Sequence, residues 1–510
     1  MRFKILAAAL SVFLWPGLAH AAWLEASSEH FVIYADDSER DITRFSQQLE
    51  RYHAGMALLL ASQAPVPSPS SRVTVYVVRN MREVQALHGG DNKFLGGFYV
   101  PRAGGSLAIV PKVDSGNGAV TMSMVVLLHE YAHHFLISSN SMPMPRWFSE
   151  GAAEFFASAK FEADGGVWLG RPAQHRAGEL YFAKDVKAAD LLDPTEYDKH
   201  KGATYDAFYG KSWLLYHYLT FDAARSGQLA RYLALLQDGK GQREAALEAF
   251  GDFDALEKDI GKYLAKNRMS ALKLTADKVP IGAISIRALS AGEAAMMPVR
   301  IRSKRGTSPE EAPTLVAEAR TVAARYPGDA AVLSALAESE YDAGNDKEAI
   351  AAADAALALD SRQVDAYVEK GLALFRIAPE ADDIAAAYKA ARAPFIALNR
   401  IENDHPLPLI YFYRSFEEQG EKPSTLALDG LIRAMQLAPF DLGLRMTLGH
   451  ALVRLGRRDD ARTVLLPVAY NPHGGSMSDF ARKMIDRMDK DPAWKGEGDA
   501  SEEGSEAVSE

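Results

Sequence analysis

The period of the apolar positions changes along this chain, and the changes divide it. Alternation in His30-Phe31-Val32-Ile33-Tyr34-Ala35 predicts a strand, and the pattern turns helical from Ser38 to Leu60. A Pro- and Ser-rich loop, Ala61 to Ser71, leads into the β-prone run Arg72 to Val78. Phe98-Tyr99-Val100 and Ser106 to Val110 predict two more strands around an Arg102-Ala103-Gly104-Gly105 turn. A long apolar helix is expected over about Val120 to Ile137, and a second from near Trp147, after Met142-Pro143-Met144-Pro145. Helices over roughly Ala203 to Ser226, Gln228 to Gln237 and Gln242 to Asn267 complete an α+β region that closes near residue 275. Residues 276–310 read as a connector, with Ile284-Ser285-Ile286 and Val299-Arg300-Ile301 as short strands.

Beyond the connector the pattern becomes Ala- and Leu-rich helix and repeats. Leu333 and Tyr367 stand 34 residues apart, as do Ala337 and Gly371. Gly344, Ala349, Ala356 and Asp360 form one unit; Ala427, Ala434 and Pro439 belong to a degenerate one; Leu448-Gly449, Gly456 and Ala461 mark a third. These offsets resemble the tetratricopeptide repeat (TPR), in which small residues let the two helices of a hairpin pack closely and each hairpin buries its other face on the next. The expectation for residues 311–488 is therefore an all-α solenoid of three or four repeats. It offers a surface for a protein partner, although an Ala-rich bundle without a binding role has the same pattern.

Composition bounds both ends and the chemistry. Arg2 and Lys4, an apolar run from Ile5 to Trp15, a Pro16-Gly17 break and Ala19-His20-Ala21 read as an export signal over residues 1–21. That run is too short to span a membrane, and no later stretch approaches eighteen apolar residues, so a periplasmic or secreted protein without a transmembrane segment is expected. With 57 Lys and Arg against 67 Asp and Glu, the chain is acidic, which weighs against nucleic acid as a partner. Six acidic residues fall in the last fifteen positions, so residues 489–510 read as a solvated, disordered tail. There is no Cys, and any metal site must use His and carboxylates.

The strongest chemical signal is His129-Glu130-Tyr131-Ala132-His133 on the long apolar helix. At 3.6 residues per turn His129 and His133 share a face and can grip one zinc ion, while Glu130 lies about a hundred degrees round, within reach of the metal's open side. Zinc catalysis needs a third protein ligand and an open position for water. Candidates stand in Trp147-Phe148-Ser149-Glu150-Gly151-Ala152-Ala153-Glu154, where Glu150 and Glu154 are one turn apart.

The combination HExxH with a following W-x-x-E-G resembles the gluzincin zinc metallopeptidases, in particular the catalytic domain of the membrane alanyl aminopeptidase type. The similarity covers roughly residues 120–220. It implies a zincin-like α+β domain over residues 22–275, one Zn2+ per chain, Glu150 as third ligand beside His129 and His133, and Glu154 as the carboxylate that orients His129. Tyr209-Gly210-Lys211-Ser212-Trp213 is similar to the family's Y-x-K-G-A segment, which implies that Tyr209 donates to the oxyanion; Tyr205 is the alternative. The larger Ser212-Trp213 pair predicts altered helix packing there. The aminopeptidases' G-x-M-E-N strand, which binds a free amino terminus, has no counterpart in Gly104 to Val110, expected as an edge strand able to pair with a peptide. Endopeptidase action on a peptide or protein substrate is therefore expected over aminopeptidase action, with Glu130 as general base. The alternative is a non-catalytic TPR interaction protein carrying a relic zincin domain.

Four further residues have blander expectations. Ser149 reads as a helix cap, Arg146 as a partner of Glu154 or of substrate, His134 as packing or surface, and His217 as a packed helix residue. The metal ligands, the base and the oxyanion donor all precede residue 220, so a catalytic domain separable near residue 276 is expected.

Overall fold

The computed structural model describes residues 23–90, 95–112, 120–139, 142–200 and 205–496. The expected export signal and residues 497–510 of the acidic tail lie outside the described residues. Strands β1 (Leu24–Ser27), β2 (Phe31–Ala35), β3 (Val73–Val78), β4 (Phe98–Val100) and β5 (Leu107–Pro111) belong to one sheet. Three short strands, β6 (Lys160–Phe161), β7 (Val167–Leu169) and β8 (Leu272–Leu274), form a separate antiparallel sheet. Strand β9 (Ser285–Ala288) returns to the first, whose order is β4-β5-β3-β2-β1-β9. Its centre is parallel, with Phe31 opposite Val73 and Thr74 opposite Leu107, and β4, β1 and β9 run antiparallel to their neighbours.

Side-chain alternation gives this sheet two buried faces. Phe31, Ile33, Val73, Val75, Ala108 and Val110 face the large core formed with helices α1 (Glu39–Leu59), α3 (Met122–Ser139) and α4 (Arg146–Ala157). Tyr34, Tyr76, Leu107 and Ile109 face α2 (Met81–His88) and α12 (Ala291–Arg305). Short helices α5 (Ala177–Phe182), α6 (Ala188–Leu192) and α7 (Pro194–His200) precede α8 (Phe208–Phe221), which lies against α4. Gly151 permits that approach, since a Cβ there would stand 2.4 Å from the Ser212 carbonyl oxygen. Ser212 and Trp213 are accommodated buried, because the close contact is made by the α8 backbone. Helices α9 (Gln228–Gln237), α10 (Gln242–Phe250) and α11 (Phe253–Leu264) complete this region; the single helix expected over 242–267 is broken at Gly251 and restarted by the Asp252 cap.

The C-terminal part is a stack of consecutive helices: α13 (Ala312–Arg325), α14 (Ala330–Asp342), α15 (Asp346–Leu359), α16 (Val364–Ile377), α17 (Ile384–Ile401), α18 (Pro406–Glu417), α19 (Thr425–Leu437), α20 (Leu442–Arg454), α21 (Arg458–Ala469) and α22 (Ser476–Lys490). The small residues singled out by period sit at its helix contacts. Ala337, Ala349, Ala356, Ala427, Ala434 and Ala461 are fully buried, and a Cβ on Gly371 or Gly449 would meet Phe395 or Leu465 at 2.4 or 2.5 Å. Gly344 and Gly456 turn the chain in the left-handed region, with φ of 79° and 72°. No helix among the described residues is long and apolar enough to cross a membrane.

Several expectations need correction. Val299-Arg300-Ile301 is helix, not strand: Ser290 and Glu293 form a reciprocal capping box that starts α12, and Pro298 is accommodated inside it. The connector is part of both neighbours, because β9 pairs with β1 and α12 covers the sheet while packing on α14. Leu107–Pro111 is not an edge strand; β4 and β3 flank it, and the edge is β4. Residues 491–494 form a turn, with Trp494 packed on the C-terminal core. The stack also folds back onto the α/β region. Ala103 N donates to Asp441 Oδ2 at 2.7 Å, Ser70 binds Glu402 through N and Oγ at 2.9 and 2.8 Å, and Phe440 lies 4.5 Å from the His134 ring.

Candidate metal centre

Helix α3 is apolar on nearly all sides and correspondingly buried, so the polar residues it carries inside need partners. His129 and His133 project one turn apart, with Nε2 atoms 3.1 Å from each other. Helix α4 brings Oε2 of Glu150 to 3.3 Å from His129 Nε2 and 3.4 Å from His133 Nε2. The three atoms form a nearly equilateral triangle. A tetrahedral zinc site with bonds of 2.0–2.1 Å has ligand separations of about 3.3–3.4 Å, so the triangle has the dimensions of one face of such a site. Glu150 is 0% exposed, and neither of its oxygens has a hydrogen-bond partner. A buried carboxylate left so is costly, and a cation shared with two imidazole lone pairs satisfies it. The residues present therefore fit zinc.

The outer nitrogens of both imidazoles meet oxygen. His133 Nδ1 lies 3.1 Å from Ser149 Oγ, and His129 Nδ1 lies 3.1 Å from Glu154 Oε1, an ion-pair contact off the hydrogen-bond axis. Such contacts fix ring orientation and tautomer. Glu154 is itself gripped by His175 Nε2 and Arg176 Nη2, both at 2.5 Å. Arg176 also donates to Glu179 at 2.6 Å, and Glu179 accepts from the Gly210 backbone N–H at 2.9 Å, so one chain of polar contacts ties the His129 side of the triangle to the start of α8.

Charge follows this geometry. Burial raises the carboxyl pKa of Glu150, but His133 and His129 outweigh it and hold it well below the usual range. Burial acts the same way on Glu154, where His129, His175 and Arg176 prevail and keep it ionised. Burial lowers His129, and its contacts with Glu150 and Glu154 reverse this, raising it to about 10 in the metal-free protein. Burial, with Glu150, pushes the Tyr209 phenol up to about 12 against the opposing charges of Arg146 and Arg176, so at neutral pH it is a donor.

Each expected residue can be located. His129, His133 and Glu150 converge on one point, and Glu154 stands behind His129. The Tyr209 ring is half-buried, 6.4 Å from that of His129, with the Arg176 guanidinium 4.8 Å from its centroid. Tyr205 is 68% exposed and is set against Glu179. Glu130 is half-buried next to His129 in the helix. Ser149 does not cap α4: Pro145 occupies that place and Ser149 supports His133. Arg146 does not pair with Glu154; its guanidinium lies 4.2 Å from the Phe208 ring centroid, and Arg176 takes the carboxylate. His134 is a packing residue held by the Tyr99 hydroxyl at 2.6 Å, and His217 is fully buried with Tyr263 at 2.9 Å. Sequence reasoning missed His175 and Arg176, which show no periodic signal. It also missed His473, whose ring stands 5.6 Å from that of His133, from a turn more than 300 residues away.

Residues 124–238 match a family described as a protein of unknown function (DUF1570), a span that contains His129, Glu130, His133, Glu150, Glu154 and Tyr209. No match was found among curated proteins. Among solved structures the chain is similar to TTC0263, a thermophilic TPR protein of Thermus thermophilus, at 16% identity and a TM-score of 0.33, covering 38% of this chain and 99% of that one. It is also similar to the MamA RS-1 ArsTM double mutant, at 17% identity and a TM-score of 0.27, covering 40% and 98%.

Proposed function

We propose that the α/β region is a zincin-like, gluzincin-type peptidase that acts outside the cytoplasm as an endopeptidase, with the helical stack engaging a protein substrate or partner. The observation that carries this reading is the 3.1, 3.3 and 3.4 Å triangle of His129, His133 and Glu150, completed by a carboxylate that is fully buried and otherwise unpaired. A zinc ion held by these three residues would lower the pKa of bound water to about 7 and polarise a substrate carbonyl. Glu130 then takes the proton from water and delivers it to the leaving amine. Tyr209, protonated at neutral pH, donates to the carbonyl oxygen as negative charge develops. Glu154, held by His175 and Arg176, keeps His129 in its ligating orientation. The N-terminal segment supports export, and the absence of G-x-M-E-N supports internal cleavage.

A second reading has support of its own. The C-terminal stack of TPR-like helices suggests protein interaction, and that function does not require an active α/β region. Elemental analysis and hydrolysis of an unstructured polypeptide separate the two. The peptidase reading expects one zinc per chain, chelator-sensitive hydrolysis, and a Glu130→Gln variant that keeps zinc while losing hydrolysis. A protein without zinc or hydrolysis supports the interaction reading.

A further inference from the structure

The turn Asn471-Pro472-His473-Gly474 between α21 and α22 belongs to the C-terminal stack, yet it ends beside the triangle. The turn is closed by Gly474 N donating to Asn471 O at 3.0 Å, Pro472 is buried, and Gly474 and Gly475 take φ of 68° and 100°, which a side chain would resist. The helices on either side are anchored by Val468, Ala469, Phe480 and Ala481 in the C-terminal core, so the turn is carried on a packed scaffold. From it His473 meets the His133 ring edge-on, at 5.6 Å and 76°, and the charges of Glu150, His133, Glu130 and His129 all act on it.

Two facts separate its role from that of a ligand. The convergent donor set is His129, His133 and Glu150, and His473 is outside it. Moreover, His473 is exposed while the ligands are buried, so its ring borders both the triangle and solvent, where a substrate must enter. We propose that His473 is a substrate-binding residue of the site, donating a ring N–H to a backbone carbonyl of an extended polypeptide next to the metal. The site is then composite: the α/β region supplies the ligands and base, and the stack supplies one wall. This inference rests on the peptidase reading.

The test uses the full chain carrying Glu130→Gln, loaded with zinc, and fluorescein-labelled β-casein as an unstructured polypeptide. Adding His473→Leu is expected to weaken β-casein binding by about tenfold, the worth of one hydrogen bond, with zinc affinity by chelator competition unchanged. His473→Gln, which keeps an N–H donor, is expected to recover part of that loss, which a merely structural role would not produce. Cooperative melting identical to the parent checks the fold of both variants. Unchanged β-casein binding in zinc-loaded His473→Leu overturns the role of His473 and leaves the peptidase reading standing. A tenfold loss of zinc affinity in that variant also overturns it, because His473 is then a ligand. Failure of the parent to bind zinc overturns the peptidase reading, and this one with it.

Discussion

Two of the charge clusters among the described residues are built on opposite principles. Where α12 meets the stack, Lys304 reaches Glu338 at 3.1 Å and Asp365 at 3.5 Å, and Arg300 stands 3.9 Å from Asp365. Lys304 and Arg300 have protein carboxylates as partners there, and burial with Glu338 pushes the neighbouring Glu369 carboxyl well up, so charge is lessened where no cation pairs it. Between α3 and α4, Glu154 is treated in the same way by His175 and Arg176, but Glu150, one turn earlier, is not. The same helix thus carries one carboxylate that is saturated and one whose partners are two imidazole nitrogens aimed at the same point. Burial alone does not mark a metal centre. The mark is a convergence of two imidazole nitrogens and a carboxylate oxygen on one point, with no Lys or Arg paired to that carboxylate among the described residues.

That contrast predicts graded responses. On the peptidase reading, Glu150→Gln removes a ligand and should cost about 4 kcal/mol of zinc affinity, roughly a thousandfold, by chelator competition. Glu154→Gln leaves all three ligands in place and should cost between about tenfold and a hundredfold, the usual range for a residue behind a ligand. Lys304→Met removes the cation shared by Glu338 and Asp365; a loss of about 2 kcal/mol of folding stability with unchanged zinc affinity is expected from denaturant melts. If Lys304→Met altered zinc binding as much as Glu154→Gln does, the two clusters would not be independent. The smallest effect belongs to the stack, where Gly449→Ala presses on the flexible Leu465 side chain and should cost about 1 kcal/mol.

What the sequence made legible follows the same divide. Residues whose role is local showed themselves. The His129 to His133 spacing, the one-turn interval from Glu150 to Glu154 and the small residues of the repeats each follow from helix geometry, and the structure places them on helices as expected. The β-branched run Val299-Arg300-Ile301 misled because Val and Ile favour strands, while the stronger signal, the Ser290 and Glu293 capping box, stood nine residues earlier. Ser149 misled because Ser commonly caps, yet the prolines before it already set the start of α4. His175 and Arg176 were invisible, since nothing local tells that a short 3-10 turn will lean on Glu154. His473 was further out of reach, because its neighbours across the site are set by the return of the stack onto the α/β region.

That return also removes the expected separability near residue 276. A cut there takes away β9, which pairs with β1 from Leu24 to Ser27, together with α12 over one face of the sheet and His473 beside His133. The repeats are thus not an arm attached to a self-contained α/β domain.

The most direct test of the account is a crystal of the full chain grown with zinc, with diffraction collected on both sides of the zinc absorption edge. The account predicts one anomalous peak at the triangle, about 2.0–2.1 Å from His129 Nε2, His133 Nε2 and a Glu150 oxygen. A zinc-free triangle in which Glu150 is hydrogen-bonded to a protonated His129 would contradict it.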